Sequence, residues 1–110
     1  MIKNILLNIG YMVDAVLDAE EALVKLKLNH YDLIITDLTM PKIDGYEFIE
    51  LLKNDEMYMD IPIIVMSSMP EKNAKSKLNQ AHVDYYIAKD NFDQNELANQ
   101  VKKILTKYHN

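Results

Sequence analysis

The stretch LIITDLTMPKIDG, residues 33–45, decides the fold of this chain. From Leu33 to Thr36 it lacks the alternation of apolar and polar residues that marks a half-exposed strand, and such a run is typical of a parallel strand covered on both faces. Asp37 follows at once, and a loop rich in turn-forming residues comes next. Because open parallel sheets carry their ligand chemistry at the carboxyl ends of their strands, the stretch predicts a functional carboxylate at Asp37.

Regular elements alternate on both sides of this strand. Asp18 with Glu21, and Asp93 with Glu96, have the spacing of a capping box at the start of a helix. The alternation of helices and strands predicts an α/β domain with a parallel sheet. The predicted helices cover 2–9, a segment from Asp18 on, 45–53, 71–80 and 93–108, and the other predicted strands cover 11–17, 62–66 and 85–88.

The composition limits the classes of function. A chain of 110 residues with 49% hydrophobic and 26% charged residues fits one globular domain. Its formal net charge of -5 argues against direct binding of nucleic acid, which needs clustered lysines and arginines. No apolar run is long enough to span a membrane, cysteine is absent, and the three histidines lack metal-ligand spacing. We therefore expect a cytoplasmic protein without disulfides, thiolate metal sites or contact with a membrane.

Polar side chains follow three of the predicted strands. Asp37, the pair Ser67 and Ser68, and Lys89 each come at a strand end. A carboxylate can accept a phosphoryl group, while a hydroxyl and an ammonium group can hold its oxygens. Each residue alone is also explained as a cap, a turn or a solvated side chain, but their joint placement favours a phosphoryl-transfer site.

With these residues the sequence resembles the receiver domains of two-component response regulators. The similarity runs through YDLIITDLTMPKIDGYEFI, IPIIVMSS and DYYIAK, and it includes the pattern D-x-x-M-P-x-x-D-G from Asp37 to Gly45. The element order agrees over residues 1–110, so the resemblance implies one receiver domain. It also implies a three-layer, flavodoxin-like doubly wound parallel sheet, and a signalling module rather than an enzyme.

The resemblance implies roles for individual residues. Asp37 corresponds to the phosphoacceptor and, together with the backbone carbonyl of Thr39, to a ligand of Mg²⁺. Ser67 corresponds to the switch hydroxyl, Tyr86 to the switch aromatic residue, and Lys89 to the lysine that contacts the phosphate. Without the resemblance, the interpretation of Tyr86 as an ordinary half-buried strand aromatic would be favoured over a switch role.

Partners are implied in the same way. The donor would be a histidine kinase or a phosphotransfer domain, and an output protein that the sequence does not name would bind residues 83–108. The segment KDNFDQNEL, residues 89–97, resembles receivers fused to chemotaxis-type histidine kinases. Receivers usually have a proline after the lysine, whereas this chain has Asp90. A cis bond before a residue other than proline costs about 2.5–4 kcal/mol, so we predict a trans bond between Lys89 and Asp90.

The chain departs from the receiver pattern at its amino end. Receivers open with a strand that ends in two adjacent acidic residues, whereas Met1 falls inside the expected first helix, so we expect an N-terminally truncated receiver. The missing strand would lie between 11–17 and 33–37. These segments would then pair directly, or a homodimer would lend a segment, and conversion of residues 2–9 to a strand ranks last. Two carboxylates would also be missing from an incomplete metal site, so Mg²⁺ binding is expected to be weak or absent.

Two other functions stay open at this point. A degenerate receiver would act as an interaction module that binds partners without being phosphorylated. A metal-dependent phosphatase with an aspartate nucleophile is more distant, because Thr39 stands where such enzymes need a second aspartate.

Overall fold

A computed structural model describes residues 2–37, 45–67, 83–89 and 93–109. Its helices are α1 (Ile2–Asn8), α2 (Ala19–Leu28), α3 (Gly45–Lys53) and α4 (Gln94–His109), and its strands are β1 (Ile34–Asp37), β2 (Ile63–Ser67) and β3 (Tyr85–Ala88). The predicted helix at 71–80 and the bond between Lys89 and Asp90 lie outside the described residues. None of the helices in the described ranges is long and apolar enough to cross a membrane.

The first two helices end and begin where the sequence signals predict. Gly10 follows α1 with a φ of 100°, a left-handed conformation that glycine adopts at little cost. At the start of α2 the carboxylate of Asp18 accepts a hydrogen bond from the N–H of Glu21 at 2.9 Å. The carboxylate of Glu21 in turn accepts from the N–H of Leu17 at 3.0 Å. This arrangement is reciprocal, as in a capping box, but Glu21 reaches one residue further back than predicted.

The start of α4 is only half as predicted. Asp93 caps the helix, because its carboxylate accepts a hydrogen bond from the N–H of Asn95 at 2.8 Å. Glu96 was expected to complete a capping box, but its Oε1 instead accepts a hydrogen bond from the hydroxyl of Tyr85 at 2.6 Å. The carboxylate of Glu96 is therefore hydrogen-bonded to Tyr85 on β3 rather than to the start of its own helix. This bond connects α4 to the sheet.

The predicted parallel sheet is confirmed, with the strand order β1-β2-β3. Ile34 pairs with Ile63 at one end of the first ladder and Asp37 with Met66 at the other. In the second ladder the pairs run from Ile64 opposite Tyr85 to Ser67 opposite Ala88. All three strands therefore end at the same edge of the sheet.

Helices cover both faces of the sheet, which gives the predicted three-layer α/β architecture. One core cluster joins α2 and α3 to one face of the sheet, and a second joins α1 and α4 to the other. Every residue of β2 is buried, as expected of a central parallel strand with helices on both sides. The first cluster contains Ala19, Leu26, Phe48, Ile49, Leu52, Ile63, Val65 and Tyr86, and the second contains Leu6, Ile64, Met66, Ile87, Leu97, Val101 and Ile104.

The beginning of β2 is fixed by two side chains. The carboxylate of Asp84 accepts a hydrogen bond from the N–H of Ile63 at 2.9 Å. Lys53 Nζ donates to the carbonyl oxygens of Met59 and Ile61, at 3.1 and 2.9 Å. Burial lowers the pKa of Lys53, and the carboxylates of Asp84 and Asp60 oppose that shift. These contacts set where the central strand starts and therefore where it ends.

The predicted strand at 11–17 is wrong for this structure, and so is its direct pairing with β1. Residues 11–16 form no helix, and they pair with no strand among the described residues. The turn at Gly10 holds one end of the segment and the cap at Asp18 holds the other, so its backbone stays across a groove from β1. The groove has a volume of about 300 Å³ and is lined by both segments. The expected helix over residues 2–9 is confirmed as α1.

Neighbouring leucines on α3 provide a test of the core. We predict that Leu52→Ala, at a side chain 1% exposed, lowers the free energy of unfolding by about 2–5 kcal/mol because it leaves a cavity. Leu51→Ala, at a side chain 46% exposed, should cost less than about 1 kcal/mol. Urea denaturation measures both variants, and equal losses would contradict the assigned face of α3.

The hydrogen bond between Tyr31 and Asp14 predicts a raised pKa for the Tyr31 hydroxyl. The hydroxyl of Tyr31 donates to the carboxylate of Asp14 at 2.5 Å, and this hydrogen bond, then burial, raises the pKa of Tyr31 above its ordinary value. The stability that this contact contributes is present below the pKa of an unfolded tyrosine, about 10, and is lost as the pH rises through the folded value. In an NMR titration of the Tyr31 ring, Asp14→Asn should return the pKa toward its ordinary value, whereas the control Asp32→Asn should not.

Candidate functional site

Asp37 and Lys89 meet at the carboxyl edge of the sheet. Asp37 is the last residue of β1 and Lys89 directly follows β3, so both side chains leave the sheet at this edge. Lys89 Nζ donates to Asp37 Oδ2 in a hydrogen-bonded ion pair. The side chain of Asp37 is 31% exposed and that of Lys89 is 44% exposed, so a phosphoryl donor or a metal ion in solution can reach the pair.

Ser67 lies at the end of the strand between them. It is the last residue of β2, it is 1% exposed, and the ladders put it one position beyond Asp37 and directly opposite Ala88. The structure therefore brings Asp37 into contact with Lys89 and sets Ser67 on the intervening strand at the same edge. The two ladders explain this placement, because parallel strands in register end together.

Thr36 is a site residue that sequence reasoning missed. It is 5% exposed, and its hydroxyl donates to the backbone carbonyl of Asp37 at 3.0 Å. This bond holds the backbone of the residue that carries the exposed carboxylate. The signal for it in the sequence is a hydroxyl directly before Asp37 in an otherwise apolar strand.

Tyr86 lies in the core rather than on the surface. It is 9% exposed, pairs with Val65 in the ladder, and belongs to the core cluster that joins the sheet to α2 and α3. The preceding Tyr85 faces the other side of the sheet, where it packs on the second cluster and donates to Glu96. Successive strand residues point to opposite faces, so the two adjacent tyrosines have separate surroundings.

The residues implied for a metal site are only partly described. Asp37 is in place, whereas Thr39 lies outside the described residues. Within the described ranges, no three carboxylate or imidazole groups converge on a point where a metal ion could bind. Asp14 and Asp18 line the same groove as Asp37, but Asp14 accepts from Tyr31 and Asp18 caps α2. Asp37 fits a ligand of Mg²⁺, but it would bind the ion in competition with Lys89.

Comparisons with known proteins agree with this geometry. The family model of the response regulator receiver domain matches residues 1–102. A gliding motility regulatory protein of Myxococcus xanthus is 35% identical over 96 residues, which cover 87% of this chain and 12% of that protein. The chemotaxis protein CheV3 of Helicobacter pylori is among the relatives too, at 30% identity over 116 residues that cover 96% of this chain and 37% of that protein. The chain thus spans only a small part of the Myxococcus protein that it matches.

Solved structures give the same family. The signal receiver domain of a signal transduction histidine kinase from Syntrophus aciditrophicus superimposes with a TM-score of 0.86 at 31% identity, covering 96% of this chain and 79% of that one. The receiver domain of the sensor histidine kinase PA1611 from Pseudomonas aeruginosa, which has a magnesium ion in its active site cleft, gives a TM-score of 0.84 at 27% identity. That match covers 96% of this chain and 85% of the Pseudomonas chain.

The parallel sheet, the polar side chains at its carboxyl edge and the match over residues 1–102 all point the same way. This chain belongs to the response regulator receiver domains of two-component signalling.

Proposed function

We propose that this domain accepts a phosphoryl group on Asp37 from a histidine kinase or a phosphotransfer domain, and that phosphorylation switches a protein-binding surface. The observation that carries the proposal is the contact between Lys89 Nζ and a carboxylate of Asp37 that stays 31% exposed. A carboxylate held at a strand end, open to solvent and beside an ammonium group, suits attack on a phosphorus atom.

The proposed transfer forms one bond and breaks one. A carboxylate oxygen of Asp37 attacks the phosphorus of a phosphohistidine, the P–N bond breaks, and the electron pair returns to the imidazole. Mg²⁺, when bound at Asp37 and the carbonyl of Thr39, would neutralise charge on the phosphoryl oxygens. Lys89 already lies beside the carboxylate of Asp37, so its ammonium group can form a hydrogen bond with the phosphoryl oxygens once Asp37 is phosphorylated.

The proposed switch passes from the edge of the sheet into its core. Ser67 is buried at the end of β2, two residues after Val65, and Val65 is the ladder partner of Tyr86 on β3. A hydrogen bond from Ser67 to a phosphoryl oxygen would draw the end of β2 toward Asp37. Tyr86 would then change its packing against α2 and α3, and residues 83–108 would present a different surface to the output partner.

The setting of the domain is part of the proposal. We infer a cytoplasmic location, where histidine kinases present their phosphohistidine, and an output through another protein. The net charge of -5 favours a protein partner over nucleic acid. A homodimer is one further state in which the domain could act.

One observation favours the second function, a receiver that binds partners without being phosphorylated. The other two acidic residues that line the groove with Asp37, Asp14 and Asp18, are both engaged in other hydrogen bonds. Because a phosphoryl-transfer site depends on divalent charge, weak binding of Mg²⁺ at Asp37 would favour this alternative. The phosphorylation experiment below decides between the two functions.

Phosphorylation is tested with acetyl phosphate as the donor and saturating Mg²⁺. We expect the protein to incorporate phosphate, Asp37→Asn to incorporate none, and Asp32→Asn, at an exposed carboxylate, to behave like the parent. Equal incorporation in Asp37→Asn would refute Asp37 as the phosphoacceptor. No incorporation in the parent, with the fold intact by circular dichroism, would favour the unphosphorylated interaction module.

The ion pair gives a second test. Lys89→Met removes the ammonium group that competes for Asp37, so Mg²⁺ should bind up to about fivefold tighter, as expected for an ion pair worth at most about 1 kcal/mol. Phosphate incorporation should nevertheless fall, because Lys89 no longer holds the phosphoryl oxygens. Isothermal titration with Mg²⁺ and a labelling assay separate the two effects, and Lys102→Met, on an exposed face of α4, is the matched control.

A further inference from the structure

Large apolar side chains are exposed on two helices that cover the same face of the sheet. Helices α2 and α3 both pack on the first core cluster, so their outer sides lie on one side of the domain. Val24 and Leu28 of α2 are 56% and 75% exposed, and Leu51 of α3 is 46% exposed. Exposed apolar side chains that are grouped in this way, with polar residues around them, mark interaction surfaces.

The outer side of α2 combines apolar groups with a base. Val24, Lys27 and Leu28 are exposed and lie three and four residues apart, so they share one side of the helix. The last turn of α2 carries Lys25 and Lys27 and contains no acidic residue. We call Val24, Lys27 and Leu28 the α2 surface, and none of these three side chains lines the groove beside β1.

The outer side of α3 has the opposite charge. An open depression of about 620 Å³ lies there, lined by residues of α3 and of the turn that follows it, all between 47 and 57. Leu51 and Met57 supply apolar side chains, and no lysine, arginine or histidine is among the described lining residues. We call this lining the α3 surface, and its acidic members are Glu47, Glu50, Asp55 and Glu56.

Hydrogen bonds fix the turn that follows α3. The N–H of Met59 donates to the carbonyl of Asp55 at 2.8 Å, and the N–H of Met57 donates to Asp55 Oδ1 at 2.9 Å. Lys53 Nζ donates to the carbonyl of Met59 from the helix. Tyr58 packs on the first core cluster, whereas its neighbour Met57 is 78% exposed. A partner that binds here would therefore meet a backbone that is already ordered, which lowers the entropy lost on binding.

A bound cation does not explain the acidic residues of the α3 surface. Within the described ranges, no three acidic or histidine side chains come together at a point where a metal ion could bind. Carboxylates that surround exposed apolar side chains instead fit a partner surface that is both basic and apolar. Nucleic acid and phospholipid headgroups carry the wrong charge for this surface.

A second copy of the chain carries such a surface on α2. There Lys27 lies beside the exposed side chains of Val24 and Leu28. Helix α4 also has an exposed base, Lys102, but its neighbour Val101 is buried in the second core cluster. The α2 surface therefore offers both the charge and the apolar contact that the α3 surface requires.

We propose that two copies of this chain associate through a two-fold contact in which the α2 surface of each copy packs against the α3 surface of the other. Because both surfaces lie on one side of the domain, a two-fold axis forms the contact twice. Lys27 of one copy would lie among carboxylates of the other, and Leu28 and Met57 would be removed from water together.

This contact differs from the other interactions of the domain. It exchanges no segment between copies, and neither surface lines the groove beside β1. It also uses no part of residues 83–108, the region proposed above for output. The proposal does not rest on phosphorylation of Asp37.

Sedimentation equilibrium over a range of protein concentrations tests the contact, with charge reversals as the main variants. Lys27→Glu alone and Glu56→Lys alone each bring like charges together at both contacts of the dimer. Each should therefore raise the dissociation constant of the dimer by about fivefold or more. In an equimolar mixture of the two variants, opposite charges meet again at both contacts. The mixture should associate about fivefold or more tightly than either variant alone.

The apolar side chains are tested separately. Leu28→Ser and Met57→Ser should each weaken association by about fivefold or more. The matched control Leu7→Ser, at an exposed leucine of α1, should change the dissociation constant by less than about twofold. Lys102→Glu, on α4, is the matched control for Lys27→Glu, and circular dichroism checks that every variant is folded.

Three results would overturn the proposal. The first is a parent protein that stays monomeric at concentrations up to about 1 mM. The second is an equal loss of affinity in Lys27→Glu and Lys102→Glu, because net charge alone would then govern association. The third is association that none of the α2 and α3 variants weakens, which would assign it to another part of the domain. No phosphoryl donor is present, so each result is independent of the phosphorylation experiment.

Discussion

The register of the two parallel ladders is the constraint on which the rest of the structure depends. It aligns Asp37 with Met66 and Ser67 with Ala88, so a carboxylate, a hydroxyl and, one residue further, the ammonium of Lys89 leave the sheet at one edge. Two core clusters fix that register, because a slip of one residue would exchange the apolar side chains of the two faces. Lys53, which donates to the carbonyl of Ile61, and Asp84, which accepts from the N–H of Ile63, fix the start of β2 and with it the position of Ser67 at its end.

Competition for one carboxylate links this fold to its chemistry. Lys89 neutralises Asp37 in the structure, and both Mg²⁺ and a phosphoryl group would have to displace or redirect that ammonium group. Exposed ion pairs are weak, so the exchange is energetically accessible. An unexposed pair at the same place would instead lock the site, since separating buried charges is costly. Both side chains of this pair are partly exposed, so separating them avoids most of that cost.

Much of the fold could be predicted from the sequence because its signals are local. The wholly apolar run before Asp37 indicates a strand covered on both faces, and the spacing of Asp18 and Glu21 indicates a helix start. The alternating pattern at 11–17 predicted a strand that the structure does not have. A strand needs a neighbouring strand at hydrogen-bonding distance, and the sequence of one segment does not show whether such a neighbour is present. The predicted capping role of Glu96 is wrong for a similar reason, because its hydrogen-bond partner, the hydroxyl of Tyr85, belongs to another element.

The site could be predicted less completely than the fold. Asp37, Ser67 and Lys89 were identifiable because each follows a strand, and their roles came from the receiver resemblance. The bond from Thr36 to the carbonyl of Asp37 and the engagement of Asp14 by Tyr31 depend on side-chain geometry and could not be read from spacing. The core position of Tyr86 suits either a switch residue or an ordinary strand aromatic, so its role stays a prediction.

The most direct test of the account is to locate the phosphoryl group itself. Reduction of the phosphorylated protein with borohydride converts an aspartyl phosphate to homoserine, which peptide mass spectrometry assigns to a position. We predict homoserine at position 37 alone, formed only when a phosphoryl donor and Mg²⁺ are both present. Homoserine at another aspartate, or none at position 37 with Mg²⁺ saturating, would contradict it.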